Sequence, residues 1–106
     1  MCVTVLGCPI TKMGLDDFVS SAEQFIHSKA PHYIAMMNVA KLVKMRSDKD
    51  LAQSILAADL IGADGVPLVW VSRLFGTPLP GRVNGTDLMY RLLERASEKG
   101  YRVFFF

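Results

Sequence analysis

Two aspartates bracket the stretch "DLIGAD", Asp59 and Asp64. Paired carboxylates can serve as acid and base on a glycosidic bond, so their separation is the first thing to fix. Five residues of extended chain hold them roughly 16 Å apart, whereas paired glycosidase acids stand about 5–10 Å apart. The two do not share a site. Asp59 falls where the apolar run begins and reads as structural. Asp64 falls where it ends, followed by Gly65 and Pro67. There a carboxylate can cap the next helix by accepting N–H bonds from the Gly65–Pro67 turn. It can also act as a general base on an attacking hydroxyl. The roles compete, because N–H donors lower a carboxylate's pKa and weaken it as a base. Spacing leaves both open.

The other reactive side chains say less. Cys2 and Cys8 are the only cysteines and read as free thiols of a reducing cytosol. His27 and His32 flank a loop with no cysteine or carboxylate at metal-ligand spacing, and read as surface or loop-packing residues. No residue cluster calls for a metal or a cofactor. The sequence has no G-x-G-x-x-G, no P-loop and no G-x-S-x-G. A net charge of +2, scattered among acids, offers no stripe for nucleic acid. No apolar run reaches the ~18 residues of a membrane span.

The elements that must carry these residues follow from periodicity. With 106 residues, 51% of them apolar, one globular domain over 1–106 is expected. "CVTVL" reads as a strand ending at Gly7. Leu15, Phe18, Val19, Ala22, Phe25 and Ile26 mark one helical face, with Asp16 and Asp17 in its first turn. "HYIAMM" is a second strand, and Asn38 an N-cap for "VAKLVKMR". Ser47 and Asp50 bracket the start of "DKDLAQSILAA". "DLIGAD" is a third strand and "PLVWVSRLF" a helix. "GTPLPGRVNG" is a loop, Thr86 caps "DLMYRLLERASEK", and "YRVFFF" opens a fourth strand. Alternating strands and helices point to an α/β, Rossmann-like layered sheet of mostly parallel strands with flanking helices. Ligand crevices lie outside the carboxyl ends of such strands, where Asn38, Asp64 and the loop before Thr86 should gather. "FFF" closes the sequence in mid-strand, so the chain reads as the N-terminal part of a domain truncated at its C-terminus.

The segments "VTVLGCPIT", "ADGVPLVW", "TPLPGRVNGTDL" and "GYRVFFF", in this order and spacing, resemble the N-terminal half of the WecG/TagA/CpsF family of glycosyltransferases. The resemblance implies an inverting enzyme that moves N-acetylmannosamine or a related hexose. The donor would be a UDP-sugar and the acceptor a sugar linked to undecaprenyl diphosphate, a polyprenyl carrier. It assigns the general base to Asp64. Arg82 would face the leaving diphosphate, or else be a solvated loop charge. Gly85, Thr86 and Asp87 stand at a helix start where amides can meet a phosphate, though capping is the equal alternative. Asn38 matches an asparagine in the family's T-x-N motif, again beside a capping role. Here Met36 replaces the threonine of that motif, and a thioether donates no hydroxyl hydrogen bond. Membrane contact would come only through residues after Phe106, placing the protein in the cytoplasm or at the inner face of the cell membrane. The fragment alone should be inactive, and its uncovered apolar surface should favour homo-oligomers. A non-catalytic α/β module that binds a nucleotide-sugar or a protein partner is the competing reading.

Overall fold

The computed structural model describes residues 2–5, 7–74, 76 and 83–105. It is an α/β arrangement of four short strands and five helices among those residues. β1 (Cys2–Val5) and β2 (Cys8–Thr11) form an antiparallel hairpin, with Gly7 at φ +83 in its turn. Two-residue hairpin turns require positive φ, which glycine adopts without strain. α1 (Leu15–His27) leads to β3 (Ile34–Met37), then α2 (Val39–Lys44) and α3 (Lys49–Leu56). β4 (Leu60–Ala63) lies parallel to β3 in the register Ile34↔Leu60 to Met37↔Ala63. α4 (Val66–Leu74) and α5 (Gly85–Lys99) follow.

Strand alternation divides the interior into two layers. Met37, Ile61 and Ala63 point to one side, where they pack with Val5 and Ile10 of the hairpin, Leu42, Ile55 and Leu68. Ile34, Met36 and Leu60 point to the other, against Phe18 and Val19 of α1, and Val83 and Leu88. Helices therefore cover both faces of the parallel pair. α1 and α5 run side by side in the same direction, joined by Arg91–Asp16 at 2.7 Å, and by Lys99 and Arg95 on Glu23 at 2.9 and 3.0 Å. The outer edge of β4 is closed by a side chain: the Ile61 amide donates to Thr11 Oγ1 at 2.9 Å.

Several expectations need correction. The hairpin's second strand was not anticipated, since Pro9 interrupts its pattern. The antiparallel pair thus stands beside the single parallel one. Residues 101–105 form no strand, because a strand needs a partner and no edge is engaged there. α3 is capped by Asp48, which accepts from Leu51 N at 3.0 Å, rather than by Ser47. α5 is capped by Asn84, not Thr86: Asn84 Oδ1 accepts from the Thr86 amide at 2.8 Å. Thr86 already lies within the helix. Asn84→Ala should cost about 0.5–2 kcal/mol, while Thr86→Ala should stay within about 0.5 kcal/mol. Urea unfolding of the two variants checks the assignment.

Candidate functional site

The site is assembled where β3 and β4 end. The Asp64 amide donates to the Met37 carbonyl at 2.8 Å, and the Val83 amide donates to the Ala63 carbonyl at 2.7 Å. These two bonds draw the chain entering α5 up against the exit of β4. A Cβ built on Gly85 would stand 3.6 Å from Asp64 Oδ2 and 3.6 Å from Met36 Cγ. Asp64 and Gly85, which belongs to the loop before Thr86, therefore meet at this edge, with Met36 beside them. Asp64 is half-buried, and among the described residues its carboxylate enters no hydrogen bond or ion pair. The cap bond to the Gly65–Pro67 turn, one of the two readings open from spacing, is absent there. Gly65, at φ +118, separates Asp64 from α4.

Asn38 follows β3 at the same edge, and its side chain is used locally: Oδ1 accepts from Lys41 N at 2.8 Å, capping α2. Thr86 gives its amide to Asn84, which takes that N–H away from any phosphate. Asp87 is exposed in the first turn of α5, where the helix dipole favours an acid. Arg82 lies outside the described residues. Met36 covers the floor of the site. Its Cε and Sδ would be 2.9 and 3.1 Å from a Cβ on Gly62, so the absence of a side chain at Gly62 makes room for the thioether.

Lys41 was missed from the sequence. Its Nζ donates to the Met36 carbonyl at 3.1 Å and sets an ammonium beside the strand ends. No spacing in the sequence signals this contact, which depends on the Met36 carbonyl facing outward. A cavity of about 780 Å³ lies between α1, β3 and α5, and Met36 and Gly85 are among its walls. Asp64 is not a wall of that cavity.

Asp59 sits at the opposite end of β4, as its structural reading requires. Its carboxylate accepts from His32 Nδ1 and from the Tyr33 amide, both at 3.0 Å. The His32 ring stacks on Phe25 with centroids 4.3 Å apart, and His27 meets Tyr101 edge-on. The hydrogen bond from His32, then that from the Tyr33 amide, holds Asp59 below the usual carboxylate range. A lowered folded-state pKa stabilises the protein above the unfolded value, about 3.9. That contribution is lost as pH falls through the folded value. Asp59→Asn should thus lower the urea midpoint at neutral pH and flatten its decline below about pH 4.

With this geometry in view, comparison with known proteins is informative. The sequence profile of the glycosyl transferase WecG/TagA/CpsF family matches residues 3–106. The chain belongs to this family. Two relatives carry the name N-acetylglucosaminyldiphosphoundecaprenol N-acetyl-beta-D-mannosaminyltransferase. That of Bacillus spizizenii is 48% identical over 50 residues, covering 47% of this chain and 20% of the relative. That of Bacillus subtilis is 27% identical over 104 residues, covering 97% of this chain and 41% of the relative. The family member described here thus spans less than half the length of either relative. No helix among the described residues is long and apolar enough to cross a membrane.

Proposed function

We propose that this chain supplies the N-terminal part of an inverting glycosyltransferase. It would move N-acetylmannosamine or a related hexose from a UDP donor to a sugar carried on undecaprenyl diphosphate. The product class is cell-surface polysaccharide or a teichoic-acid linkage unit. The family match over residues 3–106 carries this reading, and the relatives' names supply its acceptor and sugar.

Inversion needs one displacement and one base. The acceptor hydroxyl gives its proton to Asp64 as its oxygen attacks the anomeric carbon. The bond from that carbon to the diphosphate oxygen breaks on the opposite face, and UDP leaves with the electron pair. Asp64 suits the part because no described residue occupies its carboxylate. Positive groups must meet the charge that develops on the leaving diphosphate. Arg82 and the amides of Gly85 and Asp87 take that role, with Asn38 beside the donor. Met36, in place of a hydroxyl side chain, makes the floor of the donor site apolar. Catalysis would occur in the cytoplasm, at the inner face of the membrane where the lipid-linked acceptor lies. Self-association follows from large apolar side chains left exposed, such as Trp70 and Leu74. The 106 residues alone do not complete the nucleotide site, so the fragment itself is inactive.

The test compares full-length protein with its Asp64→Asn variant, using UDP-N-acetylmannosamine and a polyprenyl-diphosphate N-acetylglucosamine acceptor. Transfer by the unaltered protein and its loss in the variant support the reading. Absence of transfer from any UDP-hexose to such an acceptor would sink it.

A further inference from the structure

Three side chains form a hydrogen-bonded chain at the entry of the parallel pair, at the opposite end of the strands from Asp64. Ser28 closes α1, and its extended backbone, at φ −72 and ψ 148, carries the chain out of the helix. After a short loop His32 returns beside it, with Nε2 3.2 Å from Ser28 Oγ. The other ring nitrogen, Nδ1, lies 3.0 Å from Asp59 Oδ1. Stacking on Phe25, with centroids 4.3 Å apart and planes 14° from parallel, fixes the plane of the ring. Asp59 is fixed in turn. Its Oδ2 accepts the Tyr33 amide at 3.0 Å, and its own amide donates to the Tyr33 carbonyl at 3.0 Å.

The partners set where the protons lie. A carboxylate only accepts, so Nδ1 carries the ring proton and Nε2 keeps a lone pair. Ser28 Oγ accepts from the Ala30 amide at 3.2 Å, which leaves its own hydrogen for Nε2. Every bond then runs in one sense, from the Ala30 amide through Ser28 and His32 to Asp59. That is the polarity a serine needs to lose its proton on attack: a neutral imidazole as base, and a carboxylate behind it holding the tautomer. The Asp59–Tyr33 bonds suffice to pin the strand entry, and the Ser28 hydroxyl adds nothing to them.

Two neighbouring features suit acyl chemistry. The Lys29 amide, directly after the serine, enters no hydrogen bond among the described residues. An amide in that position commonly stabilises the oxyanion of an acyl-transfer intermediate. His32 and Phe25 are also walls of the cavity of about 780 Å³, together with Ile26 and Ile34. An acyl chain therefore finds apolar walls directly beside the base.

We propose that Ser28 is a nucleophile toward carboxylic esters with an apolar acyl group, with His32 as its general base and Asp59 as the positioning carboxylate. Ser28 Oγ bonds to the carbonyl carbon, its proton passes to His32 Nε2, and the carbonyl π pair moves onto oxygen. Collapse breaks the bond to the alkoxy oxygen, which takes the proton from Nε2 and leaves as the alcohol. Water then attacks the acyl-serine through the same proton movements, releasing the acid and restoring the Ser28 hydroxyl. This site shares no residue with the glycosyl transfer proposed above, and stands or falls separately from it.

Hydrolysis of p-nitrophenyl octanoate by the full-length protein tests the proposal. Turnover is expected, and mass spectrometry of acid-quenched digests should find an octanoyl group on Ser28. Ser28→Ala and His32→Gln should each lower kcat about a hundredfold. Ser28 is exposed, so its variant should fold as the unaltered protein does and decides the matter even should His32→Gln not fold. Asp59→Asn should lower kcat with KM unchanged, since it leaves the ring in place and moves its proton to Nε2. Turnover by Ser28→Ala within about threefold of the unaltered protein would overturn the proposal. So would an octanoyl group on Lys29 or Cys2 in place of Ser28, or hydrolysis no faster than in buffer.

Discussion

Asp64→Asn should cut the turnover of the full-length protein by about 10²–10⁴-fold, the range that a positioned general base contributes. At 1.36 kcal/mol per factor of ten, that is roughly 3–5 kcal/mol of transition-state stabilisation. The substitution keeps shape and removes only the ability to accept a proton. It disturbs little else, because no described residue bonds to the Asp64 carboxylate. The loss should fall on kcat, with the donor KM nearly unchanged, since the proposed role of the carboxylate is on the acceptor's hydroxyl. Initial rates across donor concentrations, with thermal unfolding as a control, separate the two. A variant that keeps its rate within about threefold would leave Asp64 no part in proton transfer.

Phe18→Ala should be the most damaging core change, costing about 3–5 kcal/mol. Phe18 is fully buried and is the largest side chain of the layer between α1, α5 and the strands. Its ring also supports the site from below: a Cβ on Gly62 would lie 3.3 Å from Phe18 Cζ, beside the Met36 thioether. Removing the ring therefore leaves a cavity under Met36 as well as a gap against α1. For a domain of this size each kcal/mol moves the melting midpoint by about 4–8 °C. A fall of more than about 10 °C is expected in calorimetry. A smaller shift would mean that Leu88 and Val83 collapse into the space.

The periodic parts of the fold were legible. The α1 face, the two parallel strands and the Asn38 cap follow from side-chain spacing, which local geometry dictates. The hairpin was hidden because Pro9 breaks the strand pattern, while its stability comes from pairing with β1. The cap of α5 was misplaced by two residues: Asn84 and Thr86 are both good capping types, and only backbone geometry chooses between them. At the site, the meeting of Asp64 with Gly85 follows from the rule that loops gather beyond strand ends. Lys41 was not legible, since its role depends on the Met36 carbonyl facing outward. The fourth strand shows the limit of pattern reading, because apolar β-branched and aromatic residues specify a willingness to pair and not a partner.

The hydroxyl of Thr11 has a consequence for how the molecule can grow. By taking the Ile61 amide, it plugs one flank of the parallel pair with a group that cannot template another chain. With the Ile61 amide taken, the β4 flank holds fewer free backbone groups for a further strand than the β3 flank does, and the hairpin stands as the bookend of that side.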